Sequence, residues 1–378
     1  MVTKGMTTMA VKQINLKKVY SSIYQDKETS KLKIVQKLQM GLSTVSQNLK
    51  ELEEQGLIEK NGYLESTGGR PAHLITINPI AKTSIGVGIL KDSVHLVLAD
   101  LYGDVRYKMT HLISYEDTDA YYKYLGEIIN QFIVNNHINS NSILGVSIAV
   151  QGIICSDGEA VHYGPIMNND NMKLSDISQY IGYPCRLAHD SKAAAYLELW
   201  HHKNLESAVL LLLNHNLGGA IITNKQVHKG AHMRSGLIEH LCLNPEGPLC
   251  YCGAQGCFET YCSVNTLLEK TDIDIPTFFS ELRNHNQICT EIWTEYLTYL
   301  AQAIRNITII IDGMIIISGH LAPYFTEEDI TYILEQVQKN APFPISRDQI
   351  ILGIEGQYTP AIGAALYYIN DYLDTIMK

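Results

Sequence analysis

The sequence predicts an α/β protein in which a small, mostly helical N-terminal head precedes a body of two α/β lobes. Two observations support this division. Residues 1–77 carry 11 Lys and Arg against 7 Asp and Glu, a net charge of +4, whereas the rest of the chain carries 18 against 32, a net of −14. From Thr83 onward, β-branched apolar runs alternate with amphipathic helices. A basic head on an acidic body is typical of a DNA-binding module attached to a larger domain.

The length of 378 residues predicts two or three domains. We expect a head at 1–77, a first lobe at 78–200 to which the C-terminal helix returns, and a second lobe at 201–378. No secretory signal opens the sequence. The most apolar run, residues 307–318, is too short to span a bilayer and contains Asp312. We therefore expect a cytoplasmic protein without membrane contact, in which cysteines stay reduced.

Three helices are predicted in the head. Ser30 is a favourable N-cap for the second helix, "KLKIVQKL", and Gly41 is expected to adopt a positive φ in the turn that follows. The apolar residues expected to face the core from the first two helices are Ile14, Val19, Ile23, Leu32, Val35 and Leu38. Ser43 is expected to cap the third helix, "TVSQNLKELEEQ".

The third helix has the features of a recognition helix, which lies in the DNA major groove. Val45, Leu49 and Leu52 form one apolar stripe. The polar residues expected to contact DNA from this region are Ser43, Thr44, Ser46, Gln47 and Lys50. Gln pairs with adenine, and Lys with guanine or phosphate. The alternative is a helical bundle whose polar face is merely solvated.

A wing is predicted after this helix. Gly56 ends the helix, and Asn61-Gly62 is a hairpin-turn dipeptide. The segment "STGGRPAHL" would then extend Arg70 into a narrow minor groove, or serve as an interdomain linker. Together the three helices and the hairpin predict a winged helix-turn-helix that binds double-stranded DNA.

The body shows two similar α/β units, one beginning near residue 84 and the other near Ser207. Two such lobes predict a cleft between them, and clefts of this kind bind small ligands. The last helix opens on small residues, "TPAIGAA", which permit close packing.

Several segments resemble the ROK family of repressors and sugar kinases. They are "LSTVSQNLKELEEQGLIEKNG", "TGGRPAHLITINP", "GVSIAVQGII", "PCRLAHDSKAAAYLE" and "CYCGAQGCFETYCS". The resemblance covers nearly the whole chain. Within the family, the N-terminal segments resemble repressors of the xylose-repressor type. It implies a winged helix-turn-helix joined to a two-lobed, sugar-kinase-like fold of the actin-like ATPase class.

Five of the eight cysteines lie between His240 and Cys262. His240, Cys250, Cys252 and Cys257 follow the spacing H-x9-C-x-C-x4-C, and three thiolates with one imidazole suit tetrahedral Zn²⁺. We expect one structural zinc ion per chain, with glycines that fold the loop around it. The alternative is a chance cluster of reduced core cysteines. Cys242 and Cys262 are interpreted as ordinary buried thiols.

The resemblance also bears on kinase activity, because the family's kinases line the nucleotide phosphates with two glycine-containing loops. In the first loop, "GILKD", Gly88 stands where the family has Asp, and the next substitutions are Leu90, Lys91 and Asp92. In the second, His215 and Asn216 replace Thr and Gly. A carboxylate repels phosphate, and bulky side chains block the backbone N–H groups. We therefore expect no ATP binding and no enzymatic activity, with an active kinase as the alternative.

The resemblance implies a set of sugar contacts between the lobes. The family's positions are retained at Gly152, Asp190, His240 and Glu259, while His189 replaces the usual Asn. In the run "GLIEH", Leu237 stands where the family has a sugar-binding Glu, and Glu239 is expected to point away from the sugar. The pocket would bind a different or modified sugar, or none. Asp190 and Glu259 would alternatively have purely structural roles.

These features predict a transcriptional regulator, most simply a repressor. A homodimer or homotetramer would bind a DNA operator, and a small carbohydrate effector between the lobes would change its affinity for DNA. The other hypotheses are a sugar kinase with an accessory DNA-binding head and a regulator that responds to a non-sugar ligand or a protein partner.

Overall fold

The computed structural model of the chain describes residues 8–63, 71–170, 172–353 and 355–377. The head consists of three helices and a three-stranded sheet of order β1-β3-β2. Its elements are α1 (Thr8–Asp26), β1 (Glu28–Thr29), α2 (Lys31–Leu38), α3 (Leu42–Glu54), β2 (Ile58–Glu59) and β3 (Ile75–Ile77). The predicted helix-turn-helix is therefore present, with β3 pairing antiparallel to both β1 and β2.

The second helix is predicted correctly in position, but two apolar residues of the first two helices face solvent. Ser30 caps α2 as expected, since its Oγ accepts a hydrogen bond from the Lys33 N–H at 3.4 Å. Ile14 is 37% exposed and Leu32 is 59% exposed. Ile34, which is fully buried, shares a helix face with Val35 and Leu38, and this spacing turns Leu32 away from the core.

The turn before α3 corrects two further expectations. The positive φ belongs to Gln39 (φ 52°), which ends α2 in the left-handed conformation, while Gly41 is extended with φ −61°. Gly41 is itself the N-cap of α3, and no side chain caps that helix. Ser43 therefore lies inside the first turn and is exposed, because α3 begins at Leu42.

The wing is present, but Asn61-Gly62 is not its turn. Ile58 pairs with Ile77, and Tyr63 forms an isolated bridge with His73, so the chain reverses between residues 63 and 73. Gly62 has φ +80° within the first arm of the hairpin, where its carbonyl accepts the Leu74 N–H at 3.1 Å. Residues 64–70, which include Arg70, lie outside the described residues.

The first lobe is built on a five-stranded sheet of order β10-β7-β4-β5-β6. β4, β7 and β10 are parallel, while β5 and β6 run antiparallel as a meander from β4. Its elements are β4 (Thr83–Ile89), β5 (Ser93–Ala99), β6 (Val105–Leu112), α4 (Asp119–Asn135), β7 (Ile143–Val150), β8 (Ile153–Ile154), β9 (Val161–Tyr163), α5 (Leu174–Ser178), β10 (Cys185–His189) and α6 (Asp190–His201). β8 and β9 form a separate small hairpin.

The second lobe repeats this topology with the order β13-β12-β11-β14-β15, again with three parallel strands and an antiparallel meander. Its elements are β11 (Ser207–Leu213), β12 (Leu217–Thr223), β13 (Gln226–His228), α7 (Glu259–Cys262), α8 (Val264–Glu269), α9 (Ile275–Arg283), α10 (Gln287–Ile310), β14 (Met314–Ser318), α11 (Glu327–Asn340), β15 (Ile350–Leu352) and α12 (Thr359–Met377). In both sheets the strand order in sequence numbers is 3-2-1-4-5, and this duplication is the two-lobed body that the sequence predicts.

α12 returns from the second lobe and packs against α6 and against β4, β5 and β7 of the first sheet. Small residues allow this approach: a Cβ on Gly363 would lie 1.8 Å from the Ala193 carbonyl oxygen. The head rests on the far end of the same helix, since Ile369 and Leu373 belong to the core that contains Val19 and Ile23. α12 therefore connects the body to the head. No helix within the described residues is long and apolar enough to cross a membrane.

Replacing Gly363 with Ala is expected to lower the melting temperature by several degrees. The added methyl group meets a backbone carbonyl, so α6 and α12 must move apart, and overpacking of this kind costs about 1–3 kcal/mol. Gly182→Ala is the matched control, because a Cβ at this position has no heavy atom within 4 Å. Thermal unfolding of both variants measures the difference, and equal melting temperatures would contradict the close packing of α6 and α12.

Candidate functional site

A cavity of about 140 Å³ lies where the two lobes meet. The first lobe contributes the loop after β7, the β8–β9 hairpin and the start of α6, and the second contributes the start of β12, the turn at residues 237–240 and the cysteine-rich loop. Four of the five residues predicted to bind a ligand line it together: Gly152, His189, Asp190 and His240.

Asp190 is the first residue of α6, where the helix dipole favours a carboxylate. Its Oδ1 accepts hydrogen bonds from the Ser191 N–H (2.6 Å) and the Ser191 hydroxyl (3.0 Å). These bonds hold the carboxylate at the cavity wall. Gly152, on the opposite side, has φ +133°, and a Cβ there would lie 2.8 Å from Val161 Cγ1, so only glycine fits this conformation.

His189 lies beside this carboxylate, with its Nδ1 3.2 Å from Asp190 Oδ1. The two atoms do not form a hydrogen bond, and Nδ1 has no other hydrogen-bond partner among the described residues. Burial lowers the pKa of His189, an effect that the charge of Asp190 only partly opposes. The imidazole is therefore neutral at pH 7 and offers polar contacts without a positive charge.

Glu259 does not line the cavity, in contrast to the expectation from the resemblance. Both of its carboxylate oxygens are held at the start of β12: Oε1 accepts from Asn216 Nδ2 at 2.8 Å, and Oε2 accepts from the Leu217 N–H at 2.6 Å. Burial raises its pKa and the two hydrogen bonds oppose part of this rise, which leaves the pKa at about 7. Glu259 thus has the structural role that the sequence left open as an alternative.

Glu239 lines the cavity, whereas the sequence predicted that it would point away. Residues Ile238–His240 form a single 3-10 turn, and its geometry brings Leu237, Glu239 and His240 to the same wall. Glu239 is 6% exposed. Burial raises its pKa to about 8, with Asp190 and Glu259 adding to the rise and a backbone hydrogen bond opposing it. The cavity wall therefore has a carboxyl group at Glu239, two residues after Leu237, where the resemblance implies one.

Beside the cavity, the donor atoms of His240, Cys250, Cys252 and Cys257 all lie within 4.8 Å of one another. The Sγ atoms of Cys252 and Cys257 are 3.7 Å apart, and His240 Nδ1 is 3.8 Å from Cys250 Sγ. Zn–S bonds of about 2.3 Å at tetrahedral angles separate two sulfurs by ~3.8 Å. The cluster could therefore hold a metal ion of this size. His240 and Cys252 also line the cavity, so the metal cluster and the cavity share two residues.

The loop that carries the cysteines is tightly folded. Gly253 and Gly256 have φ values of +87° and +68°, and a Cβ on Gly256 would lie 1.6 Å from the Asn244 carbonyl oxygen. Cys262 is buried as predicted, but Cys242 is exposed. Its position is set by a backbone bridge to Cys257, which turns the Cys242 side chain outward toward the Gln255 carbonyl.

The degenerate phosphate loops face a second cavity, of about 350 Å³. Leu90, Lys91 and Asp92 line one side, and His215 and Asn216 line the other. The resemblance implies glycine or small polar residues at these positions. Bulky and acidic side chains therefore line this cavity at positions where the resemblance implies backbone N–H groups that bind phosphate.

The glycines retained in the second loop pack against protein. A Cβ on Gly218 would lie 2.2 Å from Ser191 Oγ, and one on Gly219 would lie 2.5 Å from the Gly236 carbonyl oxygen. Their preservation therefore follows from close contacts of β12 and does not indicate nucleotide binding.

The candidate DNA-binding surface lies on α3. Val45, Leu49 and Leu52 are buried as predicted, and the polar residues lie on the other side of the helix. Of these, Ser43, Gln47 and Lys50 are exposed, while Thr44 and Ser46 are half-buried. Within the part of the chain that the structure describes, Lys50 pairs loosely with Glu54 on the same helix (3.6 Å), and both side chains are exposed.

Sequence reasoning missed several residues of the cavity wall. Tyr163 and Ile166 come from the β8–β9 hairpin and the segment after it, and Tyr251 lies between two metal-cluster cysteines, 5.2 Å from the His240 ring. Tyr251 was identifiable as a neighbour of two predicted ligands. The other two carried no signal in the sequence, because only the folding of the hairpin over the cleft brings them to the cavity.

The duplicated sheets, the interlobe cavity and the winged helix-turn-helix define a class of protein in which a DNA-binding head is joined to a sugar-kinase-like body. The ROK family model matches residues 84–370, and the chain belongs to the ROK family.

Comparison with known proteins extends this likeness over the head. The xylose repressor of Caldicellulosiruptor bescii is 24% identical over 354 residues, which cover 88% of this chain and 89% of that protein. The DNA-binding transcriptional dual regulator NagC of Escherichia coli is 26% identical over 268 residues, which cover 70% of this chain and 66% of that protein. A crystal structure of a ROK family transcriptional regulator, a homologue of the Escherichia coli MLC protein, has a TM-score of 0.72 at 20% identity and covers 97% of this chain and 99% of its own. The chain is thus similar to regulators of the family over the head as well as the body.

Proposed function

We propose that this protein is a transcriptional repressor whose α3 binds an operator and whose interlobe cavity binds a carbohydrate effector. The observation that carries the proposal is structural continuity between the two sites. Asp190, at the cavity, begins α6; α6 packs along α12; and α12 contacts α1 of the head. A ligand that favours one arrangement of the lobes would therefore act on the position of the head.

The contact between body and head is specific enough to transmit such a change. The Tyr24 hydroxyl on α1 donates a hydrogen bond to the Leu101 carbonyl at 3.0 Å. The Tyr24 and Tyr102 rings stack with centroids 4.9 Å apart. Two sites are coupled when one structural element has two arrangements and ligand binding at either site shifts the equilibrium between them. We propose that the α6–α12 pair is this element and that two heads of a homodimer or homotetramer move relative to each other.

The metal is proposed to be a zinc ion, held by His240, Cys250, Cys252 and Cys257. Three thiolates and one imidazole are ligands that zinc prefers in closed structural sites. The ion would fix the loop that carries Tyr251 and Cys252 and would orient the His240 ring at the cavity wall. We also propose that the protein lies in the cytoplasm, where thiols stay reduced and available to a metal.

The proposal is tested by measuring DNA binding in the presence of carbohydrates. Duplexes selected from a random-sequence pool by the full chain should converge on a roughly palindromic operator. Its affinity should then change by at least about fivefold with one or more members of a panel of mono- and disaccharides. A chain that selects no DNA sequence would refute the repressor, and an operator affinity that no carbohydrate changes would refute the effector.

Asp190→Asn is expected to abolish the carbohydrate response while leaving operator affinity without effector unchanged. Asn keeps the oxygen that accepts the Ser191 hydrogen bonds but loses the charge that strengthens bonds from ligand hydroxyls, a loss of about 1–3 kcal/mol. The exposed Asp312→Asn serves as the matched control. Titration of the operator complex with the active sugar measures both variants, and a full response from Asp190→Asn would contradict the proposed role of this residue.

A further inference from the structure

One carboxyl oxygen of Glu239 has no hydrogen-bond partner among the described residues. Its side chain is nine-tenths buried at the cavity wall, and within the described residues its Oε2 forms no hydrogen bond. A buried polar atom without a partner costs about 1–3 kcal/mol. Such an atom in a ligand cavity indicates that its partner is supplied by the ligand.

The surroundings of Glu239 determine what kind of partner is favoured. Asp190 and Cys252 line the same cavity, and Glu259 is close enough to interact electrostatically with Glu239. The basic side chain on this part of α6, Lys192, directs its ammonium group away to the Met233 carbonyl at 2.5 Å. The two histidines at the wall add no positive charge, because burial keeps His189 neutral and His240 lies in the metal cluster.

A bound metal does not reverse this balance. Three thiolates and a divalent ion sum to a net charge of −1, so the occupied cluster is still anionic. The cavity therefore has acidic groups on two walls and no cation of its own among its lining residues. An incoming ammonium group would supply both the missing hydrogen-bond donor and the missing charge.

Resting on the proposed carbohydrate site, we propose that the effector is an amino sugar whose ammonium group donates a hydrogen bond to Glu239 Oε2, in a cavity where Asp190 supplies a second carboxyl group and no lining residue is a lysine or an arginine. The same acidic walls disfavour sugar phosphates and uronic acids, because these bring a second negative charge next to Glu239 and Asp190. Leu237 contributes an apolar surface where the family has a carboxyl group, so the charged contact has moved to the position of Glu239. Neutral sugars would fill the cavity but leave Oε2 without a charged partner.

Matched pairs of sugars test this inference by calorimetry on the full, metal-loaded chain. The probes are glucosamine, galactosamine, mannosamine and 6-amino-6-deoxyglucose, each compared with the parent neutral sugar. We expect at least one amine to bind about tenfold or more tightly than its parent, since charge-assisted hydrogen bonds are the stronger ones. Glucose 6-phosphate and glucuronate should bind more weakly than glucose.

Glu239→Gln is the decisive variant, because it keeps the shape and removes only the charge. We expect it to abolish the preference for the amine, so that each amine and its parent sugar bind with equal affinity. The exposed Glu246→Gln, from the same region of the chain, is the control and should keep the preference. The melting temperature of Glu239→Gln is measured as well, and a value no lower than that of the wild type shows that the variant is folded.

Three outcomes would overturn the inference: equal binding of amines and parent sugars, an amine preference that survives in Glu239→Gln, or no binding by any member of the panel. A protonated carboxyl that donates to a neutral hydroxyl would give the first outcome. None of these results depends on DNA. Failure of the proposed function is recognised separately, by the absence of operator selection or of any carbohydrate effect on the operator complex.

Discussion

Replacing Cys257 with Ser is expected to remove the bound zinc and to disorder the loop that carries residues 250–257. Cys257 is buried, its Sγ lies 3.7 Å from that of Cys252, and its backbone bridges Cys242. The wild-type chain should contain about one zinc ion, and a site with three remaining ligands should lose most of it. Metal analysis of the purified chain measures the content, and the melting temperature should fall with it.

The reason for the large effect lies in the chemistry of the thiols. Without a cation, burial raises the pKa of Cys257 to about 12, so the thiolate form depends on a positive charge within the cluster. Cys242→Ser is the matched control, because it makes the same chemical change in the same loop on an exposed residue outside the quartet. Full zinc content in Cys257→Ser, or equal loss in Cys242→Ser, would contradict the four-ligand site.

Replacing Gln47 with Ala is expected to weaken operator binding by about 1–3 kcal/mol per recognition helix, or roughly fivefold to 150-fold. The side chain is exposed on α3, opposite the buried stripe, and a Gln amide forms paired hydrogen bonds to adenine. Ala is a better helix former than Gln, so the fold is not weakened. Sequence preference at one base pair of each half-site should relax as well.

Binding to the selected operator and to a scrambled duplex measures this effect. Gln131→Ala, exposed on α4 of the body, is the matched control and should leave DNA binding unchanged. If Gln47→Ala binds the operator as tightly as the wild type, α3 does not read bases through this residue, and the proposed recognition surface is wrong.

The two sites differ in how far the sequence could predict them. The metal cluster is local: three of its ligands lie within eight residues, and His240 is ten residues before the first of them. Spacing and ligand chemistry are therefore sufficient to assemble the quartet. The recognition helix is also local, since a 3.6-residue period alone separates Val45 and Leu49 from Gln47 and Lys50.

The ligand cavity depends on contacts between distant segments, and here the predictions fail for Glu239 and Glu259. A single 3-10 turn rotates Glu239 to the cavity wall. Glu259 is withdrawn because Asn216 and the Leu217 N–H, more than 40 residues earlier, bind both of its oxygens. Neither event has a periodic signal in the sequence. For the same reason, the pairing of Tyr63 with His73 moved the wing's turn away from Asn61-Gly62.

The sequence by itself determined the basic head, the two α/β lobes, the stripe of α3, the four residues of the candidate metal cluster and the substitutions in the phosphate loops. Each of these depends on residue type and short-range spacing. The tertiary structure alone decided which carboxyl groups reach the cavity and how the head is joined to the body through α12. Those features depend on close packing, such as that of Gly363 against the Ala193 carbonyl, and on hydrogen bonds between segments far apart in the chain.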